Sequence, residues 1–265
     1  MADILEQLAA HARRRVTLAK EKISHEQMKQ AAYAMNRDTG FPFYEALAEE
    51  GMSFIAECKK ASPSKGVIAK DFPYLEIARA YEEAGASCIS VLTEPKWFQG
   101  SLEYLKEIAA DVNIPVLRKD FIVDEYMIYE AKTTGASAVL LICSILTEEQ
   151  LCDYLQITHE LGMSALVEAH DEEEVAKAVT SGAKIIGVNN RNLRDFTVDL
   201  NNSIRLRSLV PPDILFVAES GIRTRRDIEI LENGNISGVL IGETLMKAQN
   251  KKEMLEELKG KKETV

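Results

Sequence analysis

The chain has 265 residues, 46% of them hydrophobic, and a formal net charge of -10 at pH 7. This length and apolar content fit one large α/β domain with a sizeable core. The acidic balance argues against DNA, RNA or an anionic membrane as the main partner. We therefore expect no nucleic-acid partner and no membrane partner. A small anionic substrate remains compatible with this charge, because local charge sets a binding site.

The N-terminus and the cysteines both indicate a cytoplasmic protein. The stretch MADILEQLAAHARRR is amphipathic and lacks the apolar segment of a signal peptide, and no apolar run approaches the ~20 residues of a membrane span. The four cysteines form no CxxC pair and mostly lie in apolar, strand-like surroundings. This predicts buried, reduced thiols, and neither metal ligands nor disulfides, at Cys58, Cys88, Cys143 and Cys152.

The first 50 residues contain two helical patterns and no strand-like run. The patterns are ILEQLAAHARRRVTLAKEKIS and HEQMKQAAYAM, with Ser24 as an N-cap between them. We interpret residues 1–50 as a helical extension that packs on a barrel formed by residues 51–265, within a single domain. The basic cluster Arg13–Arg15 is interpreted as a solvated helix face, and His11 as a surface residue.

Eight short apolar or β-branched runs follow, separated by helical patterns. Because the runs are nearly all apolar, they are typical of parallel strands that are covered on both faces. Each helical pattern at 74–86, 125–136 and 172–183 ends with a glycine, as connections from helix to strand do in parallel sheets. The strand-like runs are FIAEC (54–58), CISVL (88–92), IPVLRK (114–119), SAVLLIC (137–143), SALVEA (164–169), KIIGVNN (184–190), ILFVAES (214–220) and SGVLIGE (237–243).

Eight βα units of roughly 20–35 residues predict an α/β fold, a single (β/α)8 TIM barrel. A doubly wound open sheet is the alternative. It is disfavoured because no GxGxxG follows the first strand.

Charged and polar residues stand at the C-terminal ends of the predicted strands, where the catalytic groups of such barrels lie. A single residue of this kind can simply mark where a strand meets water. Solvation does not require a lysine after the third strand and glutamates after the first, fifth and seventh. We therefore predict an active site at this end of the barrel, drawn from Glu57, Lys59, Thr93, Glu94, Lys119, Asp120, Ser144, Glu168, Asn189, Arg191, Glu219, Ser220, Gly242 and Glu243.

Seven segments carry a family resemblance. They are IAECKKASPSKG, LTEPKWFQGS, VLRKDFIVDEYMIYEA, LVEAHDEEE, IIGVNNRNL, VAESGI and IGETLM, in this order from residue 55 to residue 246. They resemble the signature segments of the indole-3-glycerol phosphate synthase family, the decarboxylating cyclases of tryptophan biosynthesis. The chain has no room for a second, isomerase barrel, so the resemblance implies a single-function member.

The resemblance implies a substrate, a reaction and two principal catalytic residues. The substrate would be 1-(2-carboxyphenylamino)-1-deoxyribulose 5-phosphate, a phosphorylated small molecule. Ring closure, loss of CO2 and loss of water would give indole-3-glycerol phosphate, with no cofactor and no metal. Lys119 matches the family's general acid, and Glu168 matches its general base.

Further site residues follow from the same match. Glu57 and Lys59 match residues around the reacting centre, where the lysine contacts substrate anions. The remaining catalytic matches are Asn189 and Glu219, and Arg191 and Ser220 match binding residues. The phosphate would lie on backbone groups near Ser220, Gly221, Gly242 and Glu243, with Ser62 nearby.

The chemistry suits these residue types. Attack of an aromatic carbon on a ketone develops an alkoxide, which a lysine ammonium can protonate or stabilise, and dehydration needs a carboxylate to take a proton. Phe98 and Trp97 follow the second strand and either line the aromatic ring of the substrate or anchor their loop. His170 precedes a D-x-x-E helix start at Asp171, so we interpret it as the residue before an N-cap.

Several questions stay open at this point. The family's N-terminal aromatic residues that touch the substrate have no counterpart in ILEQLAAH, so no site residue is predicted there. A different phosphate-binding barrel enzyme, such as a sugar-phosphate isomerase, and a non-catalytic relic that binds phosphate ligands are the alternative functions. A monomer is the simplest expectation, although no feature of the sequence decides the oligomeric state.

Overall fold

The computed structural model describes residues 4–191 and 197–261. Residues 1–3, 192–196 and 262–265 lie outside the described part. Both ends of the predicted domain and the last two residues of the segment IIGVNNRNL therefore lie outside the described residues.

Eight parallel strands form a closed barrel. Each strand pairs with its neighbours in sequence, and β1 also pairs with β8, where Phe54 is in register with Val239. The prediction of a (β/α)8 TIM barrel is confirmed, and closure excludes the open sheet. The strands are β1 (Ser53–Cys58), β2 (Cys88–Leu92), β3 (Val116–Lys119), β4 (Ala138–Ile142), β5 (Ser164–Ala169), β6 (Ile185–Asn189), β7 (Leu215–Glu219) and β8 (Gly238–Ile241).

Three of the barrel helices end at the glycines that the sequence pattern indicated. Gly85, Gly135 and Gly182 have φ of 78°, 87° and 86°, so each takes the left-handed conformation that ends a helix before the next strand. The helices after β1 are α4 (Tyr74–Glu83), α5 (Leu102–Asp111), α6 (Tyr126–Thr133), α7 (Glu148–Glu160), α8 (Glu172–Thr180), α9 (Asn201–Arg207), α10 (Arg225–Asn233), α11 (Glu243–Lys247) and α12 (Lys251–Leu258).

Three helices precede the barrel: α1 (Ile4–Lys22), α2 (His25–Ala34) and α3 (Pro42–Ala48). Ser24 caps α2 with a reciprocal capping box, as predicted. The apolar stripe of α1 is buried in the hydrophobic core that the barrel strands share. The division into a helical extension over residues 1–50 and a barrel over 51–265 stays a prediction.

A buried ion pair fastens α1 to the barrel. The Arg15 guanidinium donates to both carboxylate oxygens of Asp120, at 3.0 and 2.6 Å, and the Asp120 side chain is fully buried. Thr93 Oγ1 and the backbone N–H of Phe121 also donate to this carboxylate, at 2.6 and 2.8 Å. The interpretation of the whole cluster Arg13–Arg15 as a solvated face is therefore wrong at Arg15.

The pKa of Asp120 is lowered to about 2 by these partners. Burial alone would raise it, but the charge and hydrogen bonds of Arg15, the charge of Arg118 and the hydrogen bond from Thr93 outweigh that effect. The ionised carboxylate therefore stabilises the fold.

Three of the four cysteines are buried, as predicted. Cys58, Cys88 and Cys143 lie in or directly after barrel strands, whereas Cys152 is exposed on α7, so the prediction of a buried thiol is wrong there. Its helical setting explains the difference, because only one face of α7 meets the barrel. No helix among the described residues is long and apolar enough to cross a membrane.

Replacement of Asp120 by Asn should destabilise the protein. Loss of one partner of a buried ion pair leaves Arg15 uncompensated, and we expect the free energy of unfolding to fall by about 3–5 kcal/mol. The wild-type advantage should be complete above the ordinary aspartate pKa of 3.8 and should be lost as the pH falls toward about 2. Urea unfolding at several pH values measures both effects.

The surface pair Arg79–Asp111 provides the matched control, because it also joins a guanidinium to both oxygens of an aspartate by two hydrogen bonds. Asp111→Asn should leave the urea midpoint close to the wild-type value. Equal midpoints for Asp120→Asn and Asp111→Asn would contradict the assigned role of the buried pair.

Candidate active site

A cavity of about 660 Å³ opens at the C-terminal end of the barrel. Its volume suits one small ligand. The residues that the family match predicts for the site, together with Phe98, all line this cavity. Of the other predicted strand-end residues, Asp120 lines it too, whereas Thr93, Glu94 and Ser144 are not among its lining residues. The matched residues are Glu57, Lys59, Ser62, Lys119, Glu168, Asn189, Arg191, Glu219, Ser220, Gly221, Gly242 and Glu243.

Four charged side chains form one layer across the mouth of the barrel. Glu57, Lys119, Glu168 and Glu219 lie on β1, β3, β5 and β7. Alternate strands of a TIM barrel contribute the four side chains of one interior layer, so residues on these four strands meet at one level. The three carboxylates are almost completely buried. This layer, Glu57–Lys119–Glu168–Glu219, is called the charged layer below.

Lys119 lies between two of the carboxylates of the charged layer. Its Nζ is 3.4 Å from Glu168 Oε2 and 3.3 Å from Glu219 Oε2. Burial alone would lower the pKa of Lys119, but the negative charges of Glu219, Glu168 and Glu57 raise it above its ordinary value. Lys119 is therefore a protonated ammonium in this site. Lys59 forms a similar close pair with Glu57.

The two carboxylates beside Lys119 are not equivalent. Burial would raise the pKa of Glu168, but Lys119, His170 and a hydrogen bond from Asn189 lower it. The pKa of Glu219 is raised by burial and by the charges of Glu168 and Glu57, which Lys119 only partly offsets. Glu168 is thus the member that is ionised at neutral pH.

Glycine at position 187 makes room for Glu219. A Cβ on Gly187 would collide with Glu219 Oε1. Within the described part of the chain, this buried oxygen has no hydrogen-bond partner. A glycine inside a buried strand often marks such a close approach, so the sequence contained a signal for this contact.

One wall of the cavity is apolar. Leu92, Leu140, Ile142 and Leu240 line it from the even-numbered strands β2, β4 and β8. Phe98 and Phe121 lie beside each other there, with ring centroids 6.0 Å apart. Such a wall suits a flat aromatic group of a ligand. Trp97 instead packs against His11, with the two rings nearly perpendicular and their centroids 5.4 Å apart.

Glu94 holds the loop that carries Phe98. Its fully buried carboxylate accepts hydrogen bonds from the backbone N–H groups of Lys96, Trp97 and Phe98, at 3.1, 2.7 and 3.1 Å. His11 Nδ1 on α1 lies 3.0 Å from the same carboxylate. The interpretation of His11 as a surface residue is therefore wrong.

Helix α1 also reaches the cavity. Ile4 and Leu8 line it, in the segment from which the family resemblance gave no site residue. The side chains that the chain presents there are aliphatic and not aromatic.

Another side of the cavity, formed by residues that follow β7 and β8, is polar. Ser220 and Gly221 have φ of 68° and 86°, and a Cβ on Gly221 would collide with Val198. Thr244 Oγ1 donates to the carbonyl of Ile222 at 2.7 Å and so ties the loop after β7 to α11. Successive residues in such turn conformations can present their N–H groups to an anion.

Three cations converge on Glu243 at this polar side. Lys247 Nζ lies 2.6 Å from Glu243 Oε1, Arg191 Nη2 lies 3.6 Å from Oε2, and Lys65 Nζ lies 3.9 Å from Oε1. Lys65 belongs to a short hairpin in which Ala61–Ser62 pairs with Gly66–Val67. The positive charge makes this side suitable for an anionic group.

His170 takes part in this arrangement, which the sequence interpretation did not anticipate. Asp171 is the N-cap of α8, as predicted. The His170 imidazole nevertheless lies between Glu168 and Glu174. A signal was present, because residues two apart on an extended segment point to the same side, and His170 stands two residues after Glu168.

Comparison with known proteins identifies the family of this chain. A sequence model of the family described as indole-3-glycerol phosphate synthase matches residues 5–258. The chain belongs to the indole-3-glycerol phosphate synthase family. The predictions of this family and of a lyase of this class are therefore confirmed.

Relatives named indole-3-glycerol phosphate synthase match over nearly their whole length. The protein of Lacticaseibacillus paracasei is 52% identical over 252 residues, covering 95% of this chain and 97% of its own. Those of Endomicrobium trichonymphae and Leuconostoc mesenteroides are 53% and 54% identical, over 97% and 91% of this chain and 99% and 93% of their own.

Solved structures with lower sequence identity share the fold. A thiamine phosphate pyrophosphorylase from Pyrococcus furiosus aligns with a TM-score of 0.60 at 17% identity, over 82% of this chain and 96% of that one. A mandelate oxidase aligns with a TM-score of 0.58 at 20% identity, over 70% of this chain and 66% of that one. These likenesses concern the barrel alone.

Replacement of Glu219 by Gln should stabilise the protein increasingly as the pH rises. A carboxyl whose pKa is raised by folding binds its proton in the folded state, so the wild type loses stability from the ordinary value of 4.5 upward. The variant avoids this loss, which is about 1.4 kcal/mol for every tenfold difference in proton affinity between the folded and unfolded states. Urea unfolding of the variant and the wild type between pH 4.5 and about 7 measures the difference in their free energies of unfolding.

Glu257→Gln on the exposed side of α12 is the matched control and should follow the wild type at every pH. A difference between Glu219→Gln and the wild type that is constant with pH would show that burial does not raise the pKa of Glu219.

Proposed function

We propose that this protein is an indole-3-glycerol phosphate synthase that acts on 1-(2-carboxyphenylamino)-1-deoxyribulose 5-phosphate. The observation that carries the proposal is the charged layer, in which the protonated Lys119 lies between Glu168 and Glu219 in a cavity lined by the predicted residues. Family membership supports the same reaction.

The two sides of the cavity suit the two ends of this substrate. The carboxyphenyl ring fits the apolar wall beside Phe98, and the phosphate fits the polar side near Ser220, Gly221 and Gly242. Lys65 and Arg191 add positive charge there. The ketone between the two ends of the substrate then lies over the charged layer.

Ring closure is the step for which Lys119 serves as general acid. The ring carbon that bears the carboxylate attacks the ketone carbon, a carbon–carbon bond forms, and the ketone oxygen becomes an alkoxide. The ammonium of Lys119 donates a proton to this oxygen and gives a hydroxyl group. Burial makes the positive charge more effective, because little water screens it.

Loss of CO2 needs no cofactor. Ring closure leaves an iminium that lies β to the carboxylate-bearing carbon, so the electrons of the breaking carbon–carboxylate bond flow into it. Aromaticity of the six-membered ring is restored, and CO2 departs. Lys59, paired with Glu57 in the same cavity, lies where it can contact the substrate carboxylate.

Dehydration completes the indole. Glu168 serves as the general base in this step. The carboxylate takes a proton from the CH2 carbon next to nitrogen while the hydroxyl leaves as water with a proton from a lysine ammonium. The lowered pKa keeps Glu168 ionised for this task. Asn189 donates to Glu168, and Glu219 holds Lys119 from the other side.

The proposed reaction is tested by incubating the protein with the carboxyphenylamino-deoxyribulose phosphate in EDTA, without added cofactor. Indole absorbance and fluorescence should appear, with one CO2 per product. A sugar-phosphate isomerase would interconvert the open-chain sugar and release no CO2. A protein that binds the substrate and leaves it unchanged would be a non-catalytic relic.

Lys119→Ala should lower kcat by about 10²–10⁴-fold and change KM far less, because the proposed proton transfer belongs to the transition state. Steady-state kinetics across substrate concentrations separates the two constants. Lys106→Ala, on the exposed side of α5, is the control and should behave as the wild type. Near-normal turnover in Lys119→Ala would transfer the acid role to Lys59.

Glu168→Gln should abolish turnover and keep substrate affinity within roughly tenfold, about 1.4 kcal/mol, because the amide keeps the size but cannot accept the proton. Since the lost step comes late, a ring-closed species that has already released CO2 should accumulate. Rapid-quench mass spectrometry detects its mass. A variant that fails only because substrate no longer binds would make Glu168 a positioning residue and Glu57 the better base.

A further inference from the structure

His170 lies directly behind the proposed base, between two carboxylates. Its Nδ1 is 3.0 Å from Glu174 Oε2, and its Nε2 is 3.4 Å from Glu168 Oε1. The side chain is 19% exposed, so little water competes with these contacts. Both ring nitrogens thus face negative charge, which is the setting of a protonated imidazole.

The side of the ring toward Glu174 is held firmly. Glu174 Oε2 also accepts the backbone N–H of His170 at 2.9 Å, and Ser144 Oγ donates to Glu174 Oε1. Asn202 Nδ2 donates to the carbonyl of His170 at 3.2 Å. The imidazole is therefore held from α8 and from the turn after β4, and α9 holds the backbone of His170.

On the side of the ring that faces Glu168, the two groups are close but not hydrogen-bonded. Nε2 is buried and, among residues 4–191 and 197–261, makes no hydrogen bond, although Glu168 Oε1 lies 3.4 Å away. The other oxygen of Glu168, Oε2, faces Lys119 in the cavity. Hydrogen bonds of this kind are often long in an empty site and shorten when substrate is bound.

We propose that His170 is a positioning residue for Glu168: as an imidazolium held by Glu174, it binds Glu168 Oε1 and leaves Oε2 directed at the substrate. This inference rests on the proposed function for the role of Glu168. A cation behind the carboxylate keeps the group ionised and holds it in one orientation. One of its oxygens then faces the proton that Glu168 removes.

The two carboxylates next to the ring favour this protonation state. Burial alone would lower the pKa of His170, but the close contacts with Glu168 and Glu174 and their negative charges raise it to about 10. The pKa of Glu174 is lowered by His170 and Ser144 against the effect of burial. The groups that face the pair Glu168–His170 are Glu174 from α8, Ser144 from the turn after β4, Lys119 from β3, Asn189 from β6 and Glu219 from β7.

The kinetic test uses His170→Gln, which keeps a donor of similar reach and removes the positive charge. An opposite charge within 4–6 Å of a carboxylate typically lowers its pKa by about one or more, so its loss should move the acid limb of kcat/KM upward by about one pH unit. On the acid side, kcat should fall while KM changes by less than about threefold. A purely structural role would lower activity without moving the limb.

The spectroscopic test does not depend on catalysis. The imidazole signals of His170 in a nitrogen-15 NMR spectrum, assigned by their loss in His170→Gln, should report a doubly protonated ring at pH 8. In Glu174→Gln, the protonated form should be lost at lower pH, because one of the two stabilising charges is removed. Glu173→Gln, the same substitution one residue earlier in the exposed first turn of α8, is the matched control and should leave the titration unchanged.

The two readouts separate the possible failures. An acid limb that does not move in His170→Gln, or a His170 that titrates near the ordinary value of 6.5, overturns the positioning role. A wild type without synthase activity overturns the proposed function, and the NMR titration then still decides whether the imidazolium is held between the two carboxylates. If His170→Gln does not fold, the His170 signals are assigned as those that change in Glu174→Gln and not in Glu173→Gln, and the titration in Glu174→Gln then decides alone.

Discussion

The site depends on the interaction of the Lys119 ammonium with the carboxylates of Glu168 and Glu219. Three buried carboxylates at one level of a barrel repel one another, and their burial is costly unless cations lie between them. Lys119 lies within 3.4 Å of both Glu168 and Glu219, so a single charge reduces the repulsion in the centre of the layer. The same position makes it the residue best placed to donate a proton to a ligand above the layer.

Two cations approach Glu168 from opposite sides and set its protonation state. Lys119 faces Oε2 in the cavity, and His170 lies behind Oε1. Glu219 has no second cation among the residues that the structure describes, and its pKa is accordingly raised where that of Glu168 is lowered. Environments that give two neighbouring carboxyl groups very different pKa values are typical of acid–base sites. The apolar frame of the barrel makes the layer possible, since it holds the charges at fixed positions.

Local patterns predicted the elements and the strand-end residues, and tertiary contacts supplied the rest. The run SAVLLIC at 137–143 became Ala138–Ile142, because apolar composition and flanking turns are properties of the segment itself. The pair Arg15–Asp120 joins residues 105 positions apart, and no local pattern indicates which strand end an N-terminal helix will meet. His170 was assigned to the helix start for a sound local reason, and only the packing of α8 behind β5 shows its contact with Glu168. The site roles themselves stay proposals.

The most direct measurement is a crystal structure of Glu168→Gln with the carboxyphenylamino-deoxyribulose phosphate bound. We expect the phosphate on the loops at Ser220 and Gly242, the carboxyphenyl ring beside Phe98, and Lys119 Nζ within hydrogen-bond distance of the ketone oxygen. A bound substrate whose ketone lies away from Lys119, or whose phosphate lies at the apolar wall, would contradict the proposed role of Lys119.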